Sequence, residues 1–164
     1  MRDKEAWLNA AVAAYQGQLT RLCCVLLRDR QLAEDAVQDT FIKAYRALDG
    51  YRGEAAERTW LAHIAVNTCR DMTRTGWFRH TDRHVSPDML PDRTALSQDE
   101  YLLDEALMKL PCKLREAVML YYYQGMDTVE TARALGISQP AVSARLKKAR
   151  AQLREALEGR YFHV

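Results

Sequence analysis

The side chains best suited to hold nucleic acid in this sequence are concentrated between Thr128 and Arg150, TVETARALGISQPAVSARLKKAR. Gln139 can pair with adenine and Arg145 with guanine through two hydrogen bonds, while Lys148 suits a phosphate. Gln139, Ala141, Ser143 and Ala144 would face DNA or solvent, with Arg145 and Lys148 behind them. From Gln139 to Arg154 there is no Asp or Glu, whereas Arg145, Lys147, Lys148, Arg150 and Arg154 are basic. A cationic helix offered to phosphates releases counterions, the main source of affinity for DNA. A basic run alone also describes an ordinary solvated helix face. The spacing around it favours binding.

That spacing is of two short helices joined by a turn. Ala132 is small where the helices would meet, Gly136 follows where the chain must bend, and Val142 falls on the inner face of the second helix. Leu135, Ile137 and Leu146 fill the remaining apolar positions. Gly136 accepts a positive φ at little cost. Ser138 can cap the second helix, and Pro140 falls in a first turn whose N–H groups have no helical partners. The pattern predicts a helix-turn-helix whose second helix enters a DNA groove.

The net charge is only +2, so affinity for nucleic acid must come from local patches. Ala, Leu, Arg and Glu abound while Gly and Pro are few, which predicts an all-α protein. No unbroken apolar run approaches the roughly 20 residues of a membrane span, and the start, MRDKEAW, has no apolar signal core. A cytoplasmic protein without membrane insertion is expected. Cys23, Cys24, Cys69 and Cys112 form no CxxC and have no His at ligand spacing, so the expectation is buried thiols and no metal or other cofactor.

Periodicity marks the elements that must position these groups. A first helix runs from Asp3 to about Leu27, and a second from Gln31 to about Leu48 with Glu34, Asp35, Gln38, Asp39 and Lys43 on its outer face. A loop with Gly50 and Gly53 precedes a third helix, Glu57 to Arg74. That helix buries Trp60, Leu61, Ile64, Ala65 and Met72, and presents Arg58, His63, Asn67, Arg70, Asp71 and Arg74 on its other face. Periodicity dissolves over residues 76–98 and returns with Leu102, Leu103, Ala106, Leu107 and Leu110. The chain therefore divides into two small helical domains, 1–75 and 99–164, joined by a flexible linker over 76–98.

Three blocks together resemble a bacterial RNA polymerase sigma factor of the sigma-70 family, extracytoplasmic-function group. AEDAVQDTFIKAYRAL (Ala33 to Leu48) looks like the segment that docks on the clamp helices of core polymerase; RTWLAHIAVNTCRDMTR (Arg58 to Arg74) looks like the region that melts and reads the −10 promoter element. The stretch from Leu110 to Arg150 looks like the domain that reads the −35 element. The resemblance covers nearly the whole chain, in the family's order and spacing.

It implies partners and sites. Asp35, Gln38 and Asp39 would face core RNA polymerase, built of the beta and beta-prime subunits, while Phe41 belongs to the core. Asn67 would meet a base edge and Arg58, Arg70 and Arg74 phosphates of promoter DNA at the −10 element, with the Gly50–Glu57 loop walling a flipped base. Trp60 is assigned to packing. Ser138, Gln139, Ala141, Ser143, Arg145 and Lys148 would meet the −35 element. The linker would thread toward the polymerase RNA exit channel, and an anti-sigma factor would hold the protein inactive until an envelope or other stress releases it.

Departures from the pattern are Thr131, where the family carries a buried aliphatic, Val129, where it is polar, and the less usual Cys112 and Pro140. Thr131 and Val129 predict a rotated or looser first helix of the motif. The competing reading is a stand-alone helix-turn-helix regulator with a ligand- or partner-binding first domain, which has no use for an Asn and Arg row beside a Gly-containing loop. An enzyme is disfavoured, since no phosphate loop, metal pair or activated nucleophile is in sight.

Overall fold

The computed structural model describes residues 3–74 and 97–161, so the linker expected over 76–98 lies almost wholly outside the described residues. Seven α-helices and no strand are found among the described residues. They are α1 (Lys4–Leu27), α2 (Arg30–Ala47), α3 (Glu57–Thr73), α4 (Gln98–Lys109), α5 (Cys112–Val118), α6 (Thr128–Leu135) and α7 (Gln139–Tyr161).

Local chemistry sets most of the helix ends. Asp3 caps α1 by accepting from the amides of Glu5 and Ala6, and Asp29 caps α2 through the amide of Leu32. Between them Arg28 takes a left-handed conformation, φ 54°, and its amide returns to the Cys24 carbonyl to close α1. Ser97 and Glu100 satisfy each other's amides in a capping box that opens α4. After α5 the helix widens into a π turn, Met119–Tyr123, before Gly125 reverses the chain at φ 68°.

Small residues let α1, α2 and α3 approach closely. Ala33, Ala36, Ala44, Ala62 and Ala65 are fully buried, and Leu22, Leu27, Leu61 and Val66 fill the space between them. The apolar half of α1 is the spine of this bundle. The helix is long and apolar enough to cross a membrane, contrary to the reading of unbroken runs, but Cys23, Cys24, Val25 and Leu27 are fully buried in the core. Cys69 is buried too, whereas Cys112 is exposed.

In the second unit, α4 to α7 close around Leu107, Met119, Leu120, Leu135 and Val142. The cores of the two units are continuous, because α6 packs on α3 and α5 packs on α1. Periodicity does not report that contact. It shows that a face is polar, and a polar face can bind a neighbour as well as water.

Candidate nucleic-acid interface

The helix-turn-helix forms as its residues demand. Asp127 caps α6 through the amide of Glu130 at 2.8 Å, and Gly136 ends it at φ 68° with its amide directed to the Ala132 and Arg133 carbonyls. Ser138 then accepts from the amide of Ala141 at 3.2 Å and starts α7. Val142, Leu146 and Ala149 form the buried stripe of α7. Thr131 faces inward and is fully buried, and Val129 points outward. The helix is therefore not rotated. The cost of the substitution is a Thr131 hydroxyl with no hydrogen-bond partner among the described residues.

The outer face of α7 is open. Ser138, Gln139, Ser143 and Lys148 are exposed, with Ala141 and Arg145 partly so. The Gln139 amide donates to the Thr128 hydroxyl at 2.7 Å, which ties it to the start of α6. Arg145 has one terminal nitrogen shielded from solvent and without a hydrogen-bond partner, so its guanidinium is partly held against the protein. Arg150 donates to the Tyr122 hydroxyl at 2.8 Å, which tethers it to the π turn before the motif. The face thus gathers hydroxyl, amide and cationic groups along one helix, the arrangement that fits a DNA groove.

The polar face of α3 is placed very differently. Arg58 donates to the carbonyls of Gln124 and Gly125 and to Glu130 Oε2, the last at 3.3 Å, and the Thr59 hydroxyl donates to the same Glu130 oxygen at 3.2 Å. His63 Nδ1 lies 2.8 Å from the Ala134 carbonyl, an acceptor that requires the proton on that nitrogen, and its Nε2 then accepts from Asn67. Arg70 grips Glu116 in a two-pronged pair at 2.7 and 3.3 Å and also donates to the Leu135 carbonyl. Glu116 is 3% exposed, and its bond raises the Arg70 pKa further above the ordinary arginine value. Asn67 and Arg74 are bonded within the first unit, Asn67 to His63 and Arg74 to its neighbour Asp71 at 3.0 Å.

Beside α3, Trp60 is half-buried and stacks on Tyr51 of the Gly50–Glu57 loop with ring centroids 4.3 Å apart; Trp7 lies 6.1 Å away at a tilt. Trp7 also donates its indole N–H to Glu57 at 3.1 Å. The loop is shaped by this stack and by the Tyr51 hydroxyl donating to the Ala55 carbonyl. Trp60 packs, as expected, and its partner Tyr51 was not legible from periodicity because it lies in a loop.

A second surface lies between α1 and α2. There an open groove of about 1020 Å³ is lined on its apolar walls by Leu8, Val12, Val37, Phe41 and Ile42, with Gln38 on its rim. Phe41 is 6% exposed and forms floor and core together, whereas Ile42 is 48% exposed. Asp35 and Asp39 are exposed on α2; Asp35 accepts from Gln31 and Asp39 pairs with Lys43 at 3.5 Å. Sequence reasoning marked the acids and missed the apolar trough. Ile42 standing on the polar side of α2 was the available signal.

Known proteins share both units. Residues 11–79 match sigma-70 region 2 and residues 101–153 match sigma-70 region 4. The ECF RNA polymerase sigma factor SigM of Mycobacterium tuberculosis is 36% identical over 140 residues, which cover 85% of this chain and 71% of that protein. The RNA polymerase sigma-H factor of Pseudomonas aeruginosa is 30% identical over 171 residues, covering 95% and 88%. A solved structure of CnrH in complex with the cytosolic domain of CnrY superposes with a TM-score of 0.72 at 28% identity, over 94% of this chain and 90% of that one. The helical unit that holds α1 to α3 and the helix-turn-helix unit after it are the two regions those proteins share. The chain belongs to the sigma-70 family of RNA polymerase sigma factors, within its extracytoplasmic-function group.

Proposed function

We propose that this sigma factor docks on core RNA polymerase through the groove between α1 and α2 and directs initiation at promoters read by α3 and α7. The observation that carries the reading is the open cationic face of α7 in a chain that also holds the second, Asn- and Arg-bearing helix. A stand-alone regulator would need the first helix set but not the second.

In this reading Gln38 and Ile42 meet the beta-prime clamp helices, with Asp35 and Asp39 supplying charge at the edge of the contact. Ser138, Gln139, Ala141, Ser143, Arg145 and Lys148 lie on the −35 duplex, the Gln and Arg suited to base edges and the Lys to phosphate. Arg58, Arg70 and Arg74 take phosphates of the opened −10 strand. Asn67 takes a base edge, and the loop shaped by Tyr51 and Trp60 walls a base out of the stack. The chain acts by binding and not by catalysis, in the cytoplasm, in a stress or envelope response. An anti-sigma protein is the expected regulator, and the similar CnrH was solved in complex with the cytosolic domain of another protein, CnrY.

Run-off transcription with bacterial core polymerase on a genomic fragment library tests the function. Initiation at defined start sites only when this protein is added supports it and yields the two promoter elements. Binding to duplex DNA without polymerase, and no initiation with it, would favour the stand-alone regulator.

A further inference from the structure

Thr128 and Gln139 stand at the openings of the two motif helices, and a side-chain bond joins them across the turn. Gln139 is the first residue of α7, the end from which a recognition helix meets base edges. Its amide Nε2 donates to the Thr128 hydroxyl at 2.7 Å, over 11 residues of chain. Both ends of that bond are held from behind. Thr128 opens α6 directly after Asp127, whose carboxylate accepts from the Glu130 amide at 2.8 Å and whose carbonyl accepts from the Thr131 amide at 2.9 Å. The branched Thr128 side chain has little rotational freedom of its own. Gln139 lies between Ser138, which caps α7 through the Ala141 amide, and Pro140, whose ring narrows the backbone conformations open to the residue before it. Pro140, one of the departures noted in the sequence, thus stiffens the reading end of α7. Gln139 itself remains exposed, so the fixed amide is still open to a ligand.

We infer that Thr128 is a positioning residue for promoter recognition: it holds the Gln139 amide so that this side chain selects adenine at one base pair of the −35 element. The inference rests on the assignment of α7 to that element. A free glutamine offers a carbonyl and two N–H donors, and can turn either edge to a base. With one N–H committed to Thr128, the carbonyl and a single donor remain. Adenine presents the complement, an N6 amino group beside the N7 acceptor, whereas guanine presents two acceptors, N7 and O6. The held amide therefore meets adenine with two bonds and guanine with one. An amide already held does not have to be ordered on binding, an advantage of about two- to tenfold in affinity.

The test uses the full chain assembled with core polymerase, and duplexes that place each base in turn at every position of the −35 element found by run-off. Gln139→Ala identifies the base pair that Gln139 reads. That pair should carry adenine, preferred over guanine by about tenfold in the native chain. Thr128→Val keeps the side-chain shape without the hydroxyl. It should lower the preference by about threefold or more, with the other pairs and the salt slope unchanged. Thr128→Ser keeps the hydroxyl and should behave as the native chain, and thermal melts check that each variant folds. A Thr128→Val chain that weakens every duplex alike, or a Thr128→Ser chain that matches it, shows a merely structural role and overturns the inference. Guanine at the pair overturns it too, as does a Gln139→Ala chain that alters no single pair. Nitrogen relaxation of the Gln139 side-chain amide in the full chain tests the tether without DNA: the amide should be ordered in the native chain and mobile in Thr128→Val. Equal mobility in both overturns the tether. No initiation with core polymerase overturns the sigma reading and the adenine assignment with it, while relaxation still decides whether Thr128 holds Gln139.

Discussion

Helices α3 and α7 carry the same kinds of residue, Arg with an amide side chain, and the fold gives them opposite surroundings. On α7 most of the candidate groups are exposed, with Ala141 and Arg145 partly so, along a helix whose buried stripe is Val142, Leu146 and Ala149. On α3 the corresponding groups are half-buried, and each of Arg58, Asn67 and Arg70 already has protein partners. An exposed charged face needs only a ligand. A covered one must first give up its bonds, so the same substitution on the two helices reports different physics.

The largest expected contrast is structural. Leu61 of α3 is fully buried where α1, α2 and α3 meet, and Leu61→Ala should cost about 2–5 kcal/mol in a denaturant melt. Lys147→Ala on the open face of α7 should change the same melt by less than about 0.5 kcal/mol. Equal effects would mean that α7 is as embedded as α3.

Next comes DNA. Arg145→Ala should weaken −35 recognition by about 1–3 kcal/mol and relax preference at one base pair, whereas Lys148→Ala should weaken all sequences alike and lower the salt slope by about 1. Filter binding of the holoenzyme over a salt series separates them. If both substitutions act uniformly, α7 holds the backbone without reading bases. On α3, Arg70→Ala should lower stability as well as promoter opening, because it leaves the nearly buried Glu116 unpaired. Arg74→Ala should lower opening alone, and permanganate footprinting beside a melt distinguishes the two.

A smaller effect of opposite sign is expected at Thr131. Its buried hydroxyl has no partner among the described residues, so Thr131→Val should stabilise the second unit by about 1 kcal/mol without altering DNA affinity. A destabilised variant would mean that the hydroxyl is satisfied in solution.

The smallest effect concerns thiols. Burial pushes the Cys24 thiol up to about 11 from 9.0, so in the folded chain it holds its proton where the unfolded chain has lost it. Its contribution to stability is fully present below pH 9 and is lost as pH rises through about 11. Maleimide at pH 8 should therefore modify exposed Cys112 first and reach Cys24 only on unfolding. Early modification of Cys24 would show that the spine of the first unit opens locally.

Much of this molecule is legible in its residues. Asp3, Asp29, Ser97, Asp127 and Ser138 start helices because each offers an oxygen to amides that have no helical partner. Gly136 ends one because it accepts the left-handed conformation, and the alternation of basic and buried positions from Gln139 onward fixes which side of α7 faces out. These are local effects, complete within a turn or two of chain. Tertiary structure alone decided that the polar face of α3 is covered. Arg58 meets Glu130, and Arg70 meets Glu116, across 72 and 46 residues of sequence. The pairing of two polar surfaces leaves no periodic trace, because a charge that faces a partner and a charge that faces water occupy the same position in a helical pattern.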